Sequence, residues 1–230
     1  MSAVCDTAFL AKSIREEQVW DVLNRNLFFV KNAVKASEAK TSDKIDVYDP
    51  DQQSIVLQAR EPSITTMTKV SRFYGGGYDR GSAFDLALNY GETEHNVLRV
   101  TRGTPTFVLN GAPIDIGDHR GIVIGSLKKI VWTIGRKFTF TERASNETMT
   151  LNLRLNVFGS EMGILIGDKK VGGIVRKWKD SHQDYFKAGK FGYALWISPE
   201  VEKNSQLRQA LVALGVAQHR IIDASLRGWQ

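Results

Sequence analysis

The chain has 230 residues, an ordinary soluble balance of 42% hydrophobic and 24% charged side chains, one cysteine and a net charge of +6. That length supports one large core and suits an all-β barrel folding as a single domain. The composition excludes a disulfide-stapled scaffold, a low-complexity chain and a long charged tail. Met1 to Thr7 carries Asp6 and no basic run ahead of an apolar one, so no secretory signal is expected. Cys5 has no partner for an internal disulfide, and the expected setting is reducing and cytoplasmic.

Residues 1–26 read as a helical or irregular N-terminal segment, with Leu10, Ile14, Val19, Trp20 and Leu23 forming an imperfect apolar stripe. It suits a lid packed on the remainder of the chain, or a helix lying on a membrane surface. From Leu27 onward the chain changes to short runs rich in β-branched and aromatic residues, and residues 27–230 read as one barrel domain. The runs are Ile45 to Tyr48, Ser54 to Arg60, Ala83 to Asn89, Asn96 to Arg102, Gly121 to Leu127, Lys137 to Glu142, Met149 to Phe158 and Gly163 to Ile166. Turn signals separate them: Asp49–Pro50–Asp51, Gly91–Glu92, Asn110–Gly111, Gly117–Asp118, Asn146–Glu147 and Gly167–Asp168. The clearest alternation puts Leu151, Leu153, Leu155 and Val157 on one face and Asn152, Arg154 and Asn156 on the other. One buried and one wet face is the mark of an antiparallel sheet or barrel wall.

The last element differs in kind. Ser205 to Asp223 has helical spacing, and its middle, Ala210 to Ala217, is apolar on every side. Such a helix must be enclosed. It is too short to span lipid, which takes roughly 20 apolar residues, and Arg208 and Gln209 bound it on one side, Gln218, His219 and Arg220 on the other. A sheet of about a dozen strands tends to curl. The expected fold is therefore mainly β, a closed antiparallel barrel of about twelve strands around a hydrophobic C-terminal helix.

Chemistry-bearing motifs are sparse. Gly75–Gly76–Gly77 invites a phosphate-loop reading, but a helix must open after such a loop, and Ala83 to Leu88 alternates like a strand. Asp46, Asp49 and Asp51 lack calcium-loop spacing, and His95, His119, His182 and His219 are scattered. No metal, no cofactor and no bond-making catalysis are expected. Positive charge is the remaining signal. Arg120 to Lys190 holds 14 lysines and arginines against 6 acids, a local balance of +8 that leaves the rest near −2. Basic pairs are expected at strand ends or turns: Lys128 with Lys129, Arg136 with Lys137, and Lys169 with Lys170. Arg176, Lys177 and Lys179 surround Trp178, the side chain best suited to a membrane–water boundary. Concentrated positive charge points to an anionic partner.

Several stretches resemble phospholipid scramblases: Val47 to Glu61, Val97 to Arg102, Gly121 to Gly125, Val171 to Asp180, Tyr185–Phe186, Phe191 to Ile197 and Ile221 to Asp223, in order over residues 27–223. That family groups with the LURP-one-related proteins and the tubby C-terminal domain. The resemblance implies a twelve-stranded barrel around a hydrophobic C-terminal helix, and a peripheral, non-catalytic protein that binds anionic phospholipid such as phosphoinositide. The stretch matching the family's acidic calcium segment, His182 to Lys190, has Asp184 as its one acid, so calcium regulation is not expected. The expected lipid-binding residues are Lys128, Lys129, Arg136, Lys137, Lys169, Lys170, Arg176, Lys177, Trp178 and Lys179, and the expected partner is an anionic membrane surface at the cytoplasmic side. Two other functions stay open: a scaffold or nucleic-acid-associated module, for which the basic-aromatic signature of single-strand binders is missing, and a small-ligand carrier or enzyme using the barrel interior.

Overall fold

The computed structural model describes residues 16–32, 44–51, 54–61, 83–103, 113–130, 136–156, 161–175 and 192–218, with the side chains of Asn32 and Arg136 left aside. Twelve strands follow a short helix α1 (residues 16–23). They are β1 (Leu27–Asn32), β2 (Lys44–Tyr48), β3 (Ile55–Arg60), β4 (Phe84–Tyr90), β5 (Asn96–Arg102) and β6 (Ile114–Gly117). Then come β7 (Val123–Ile130), β8 (Arg136–Glu142), β9 (Thr148–Leu155), β10 (Glu161–Ile166), β11 (Lys169–Val175) and β12 (Tyr193–Ile197). Helix α2 (Gln206–Val216) closes the described chain.

Each strand pairs antiparallel with its sequence neighbour, and β1 pairs with β12 to close the barrel. Closure removes every sheet edge. It also sorts the strand ends: β2–β3, β4–β5, β6–β7, β8–β9 and β10–β11 turn at one end of the barrel, and the opposite strand ends lie at the other. The turn end is built from the punctuation the sequence supplies, with positive φ at Gly91, Gly121, Asn146 and Gly167. Such angles are cheap for glycine and tolerated by asparagine.

Inward positions are apolar and tightly closed. Phe138 and Phe140 of β8, Leu151 of β9, Leu86 and Leu88 of β4 and Leu98 of β5 are all within a percent of full burial. The alternation expected in β9 holds for Leu151 and Leu153, but Leu155 is 44% exposed because the strand runs past the core at that point. Val157 and Phe158 lie outside the described residues, as do the 75–81 glycine loop, Asn110–Gly111, Tyr185–Phe186 and Ile221. The next described element after residues 75–81 is strand β4, which alternates as the sequence predicts.

Helix α2 occupies the interior, with every residue from Arg208 to Val216 buried and contacts reaching β5, β7, β8 and β12. Ser205 caps it, accepting from Arg208 N at 3.2 Å. Tyr193 of β12 donates its hydroxyl to the carbonyls of Gly215 (2.8 Å) and Val216 (3.2 Å). Gly215 lets the helix approach that strand, since a Cβ there would collide with the Leu195 side chain. Three of the polar residues expected to bound the buried stretch are themselves inside, with Arg208 1% exposed, Gln209 5% and Gln218 4%, while His219 and Arg220 lie outside the described residues. Arg208 tolerates this because its guanidinium donates to the carbonyls of Leu23 (2.9 Å), Val201 (3.0 Å), Asn24 (2.7 Å) and Arg25 (3.0 Å), and to Asn26 Oδ1. Those are largely the carbonyls that the C-terminus of α1 leaves open. A cation there also opposes the negative end of the helix dipole. Burial pushes the Arg208 pKa down from its ordinary value. The result is a bolt from the central helix to α1, under which Val19, Val22 and Leu23 are buried. No described helix is long and apolar enough to cross a membrane.

Candidate anionic-surface interface

The expected basic residues separate into three groups. Lys128 and Lys129 lie inside β7, which runs on to Ile130, and not at its end; both are exposed. Lys128 faces Thr139 and Ile130 faces Lys137 in the β7–β8 ladder. Lys128 and Lys137 are therefore diagonal neighbours on the outer face, a spacing of roughly 7 Å. One strand further, Lys137 faces Asn152. That makes the exposed Arg154 its diagonal neighbour in turn. None of Lys128, Lys137 and Arg154 makes an ion pair with a described residue. Three like charges thus run diagonally across β7, β8 and β9. Arg136 sits beside them by backbone position, opposite Leu153.

Arg154 was legible only as a wet-face residue. Its place beside Lys137 depends on cross-strand register, which spacing along one strand does not contain.

Lys169 and Lys170 begin β11, at the turn end, whereas β7 ends and β8 begins at the other. The pairs do not share a rim. Strand stagger nevertheless carries one hydrogen-bonding row from Lys137 through Asn152 and Leu165 to Lys170, about 14 Å over three interstrand spacings. Both lysines of β11 are engaged within the protein. Lys169 Nζ lies 3.0 Å from Glu200 Oε2 on the surface. Lys170 Nζ is 2.6 Å from Glu161 Oε1 and 5.0 Å from the Trp196 ring centroid, while Trp196 Nε1 donates to the same Glu161 oxygen at 3.3 Å. Gly173 makes this cluster possible, because a Cβ there would stand 2.6 Å from Trp196 Nε1. The third group, Arg176, Lys177, Trp178 and Lys179, lies outside the described residues.

The opposite wall obeys the same geometry with a different charge rule. Asp46 faces Gln58 and Lys44 faces Arg60, which makes Arg60 and Asp46 diagonal neighbours; they pair at 2.5 Å. In β4–β5, Asp85 faces Thr101 and Ala87 faces Arg99, so Asp85 and Arg99 are diagonal in the opposite sense, and they form two hydrogen bonds, of 2.8 and 2.5 Å. The Asp85 hydrogen bond, then its charge, raise the Arg99 pKa above its ordinary value. Among the described residues, no group of three or more His, Cys, Asp or Glu is placed to hold a metal ion.

No protein-family model, no curated protein and no solved structure matches the chain.

Proposed function

We propose that the protein binds reversibly to anionic phospholipid surfaces through the outer face of β7–β9, as a peripheral and non-catalytic lipid-binding barrel. The observation that carries this is the diagonal run Lys128–Lys137–Arg154, like charges in positions that the β2–β5 wall fills with ion pairs. Like charges at close cross-strand positions repel, and a polyanionic surface relieves that repulsion. The resemblance to scramblases supplies the lipid part of the reading, and the charge placement supplies its location. Each lysine or arginine near an anionic leaflet contributes about 1 kcal/mol. Three give about 3 kcal/mol, enough for weak association that weakens as salt shortens the Debye length to about 8 Å. Movement of lipid between leaflets would be a further activity, to be assayed once binding is established.

The test is vesicle co-sedimentation with neutral, phosphatidylserine and phosphoinositide membranes at low and physiological salt. Binding is expected only with anionic vesicles, falling with salt and falling roughly a hundredfold in the triple variant Lys128→Gln, Lys137→Gln, Arg154→Gln. Equal binding to neutral vesicles, or an unaffected triple variant, removes the proposal. Retention on nucleic acid in preference to vesicles would favour the nucleic-acid-associated alternative.

A further inference from the structure

One cross-strand row on the outer wall runs from Arg154, which has no ion-pair partner among the described residues, to a tryptophan. Arg154 of β9 faces Gly163 of β10, Gly163 faces Gly173 of β11, and Gly173 faces Trp196 of β12. The row covers about 14 Å, three interstrand spacings. Leu195 points inward against Gly215 of α2, so its neighbour Trp196 points outward, where it stays partly exposed. Lys137 stands in the adjacent row, which Asn152 and Leu165 carry to Lys170.

Glycine at the two middle positions leaves bare backbone there, and three side chains lie across it. A Cβ on Gly163 would stand 3.0 Å from Lys170 Cε and 3.7 Å from Leu165 Cδ1, and one on Gly173 would stand 2.6 Å from Trp196 Nε1. The lysine stem, the leucine and the indole thus form a low plateau beside Arg154 and Lys137. Glu161 Oε1 pins it from one side, accepting from Lys170 Nζ at 2.6 Å and from Trp196 Nε1 at 3.3 Å. The outer face of a barrel wall in water is ordinarily polar. A partly exposed indole, a lysine stem and flanking cations are instead the combination suited to the headgroup level of a membrane.

We infer that Trp196 is the interfacial anchor of a membrane-facing wall that extends beyond β9 as far as β12. Arg154 and Lys137 meet the phosphates of an anionic leaflet, and the plateau of Leu165, Lys170 and Trp196 settles at headgroup depth. The inference rests on the lipid-binding proposal and adds to it a depth, an orientation and a residue. It also sets Glu161 apart from other surface acids, since its carboxylate lies on this face. Helix α1, with Trp20, precedes β1 at the turn end and stays clear of the leaflet.

The test uses the full chain and vesicles of phosphatidylserine with phosphatidylcholine, the latter brominated high on its acyl chains to quench nearby tryptophan. Co-sedimentation runs alongside, and quenching is read at lipid concentrations where each variant is fully bound. Strong quenching is expected in the parent and in Trp20→Phe, and about threefold less in Trp196→Phe. Glu161→Gln keeps the acceptor oxygen and removes a negative charge from the face, so affinity is expected to rise about fivefold. Glu92→Gln, an exposed site in the β4–β5 turn, is expected to change affinity less than about twofold. Quenching that survives Trp196→Phe undiminished overturns the inference, and so do equal gains from the two glutamate variants. If Trp196→Phe does not fold, the glutamate pair decides alone. A parent that binds without quenching overturns this inference and leaves the lipid-binding proposal standing; a parent that binds no anionic vesicle overturns both.

Discussion

The β2–β5 wall and the β7–β9 wall present the same pleated outer surface, and both set long charged side chains at diagonal cross-strand positions. In the first, those positions alternate in sign, Asp46 with Arg60 and Asp85 with Arg99, and the charges close on each other. In the second they repeat one sign, Lys128, Lys137, Arg154, and stay open. The contrast shows that total charge is a poor guide to where an anion would be held. The formal +6 of the chain includes arginines already neutralised within the sheet. Lys169 and Lys170 teach the same lesson from the turn end, where Glu200 and Glu161 occupy them. Surface pairs of this kind contribute little to stability, about 0–1 kcal/mol each; their larger consequence is to silence a charge.

The difference between the walls can be broken at one residue. Lys137→Glu would convert the second wall to the rule of the first, giving Lys128 and Arg154 a shared carboxylate. Vesicle binding should fall about thirtyfold, for a local change of two charges at about 1 kcal/mol each. Thermal or denaturant unfolding should show unchanged or slightly higher stability, by about 0.2–1 kcal/mol; a wall whose charges serve only stability would gain the stability and show no binding change. The reverse experiment opens the paired wall. Asp46→Asn with Asp85→Asn frees Arg60 and Arg99, and affinity for anionic vesicles should rise several-fold while stability drops by about 1 kcal/mol or less per site. An unchanged affinity would mean that location on the barrel, and not unpaired charge, decides binding. The smallest effect is expected from Lys169→Gln, less than twofold on vesicle binding, because Glu200 already neutralises that lysine at 3.0 Å; a loss as large as that of Lys137→Gln would show the turn end to be the membrane-facing side.

Strands with a strict period of two and clear punctuation were legible from the chain alone: β2, β4, β5 and β9 lie within a few residues of expectation. β6 was not, because its four residues hold barely two alternations. Gly172 and Gly173 interrupt the pattern of β11, with neighbouring backbone and the Trp196 ring in the space a Cβ would need. β7 was expected to begin two residues and to end three residues too early, which moved Lys128 and Lys129 to a strand end they do not occupy.

What the sequence determined by itself was local: which residues alternate, where the chain turns, and that one helix too apolar to face water must be wrapped by the strands before it. Those features come from backbone periodicity and the cost of exposing apolar surface, which act within a short window. The tertiary structure alone decided the rest. Register set which charges became neighbours, and barrel closure buried Arg208 with carbonyl partners drawn from a helix some 185 residues earlier in the chain. Charge pairing and hydrogen-bond satisfaction are settled between side chains a few ångströms apart in space, and no spacing along the chain records that distance.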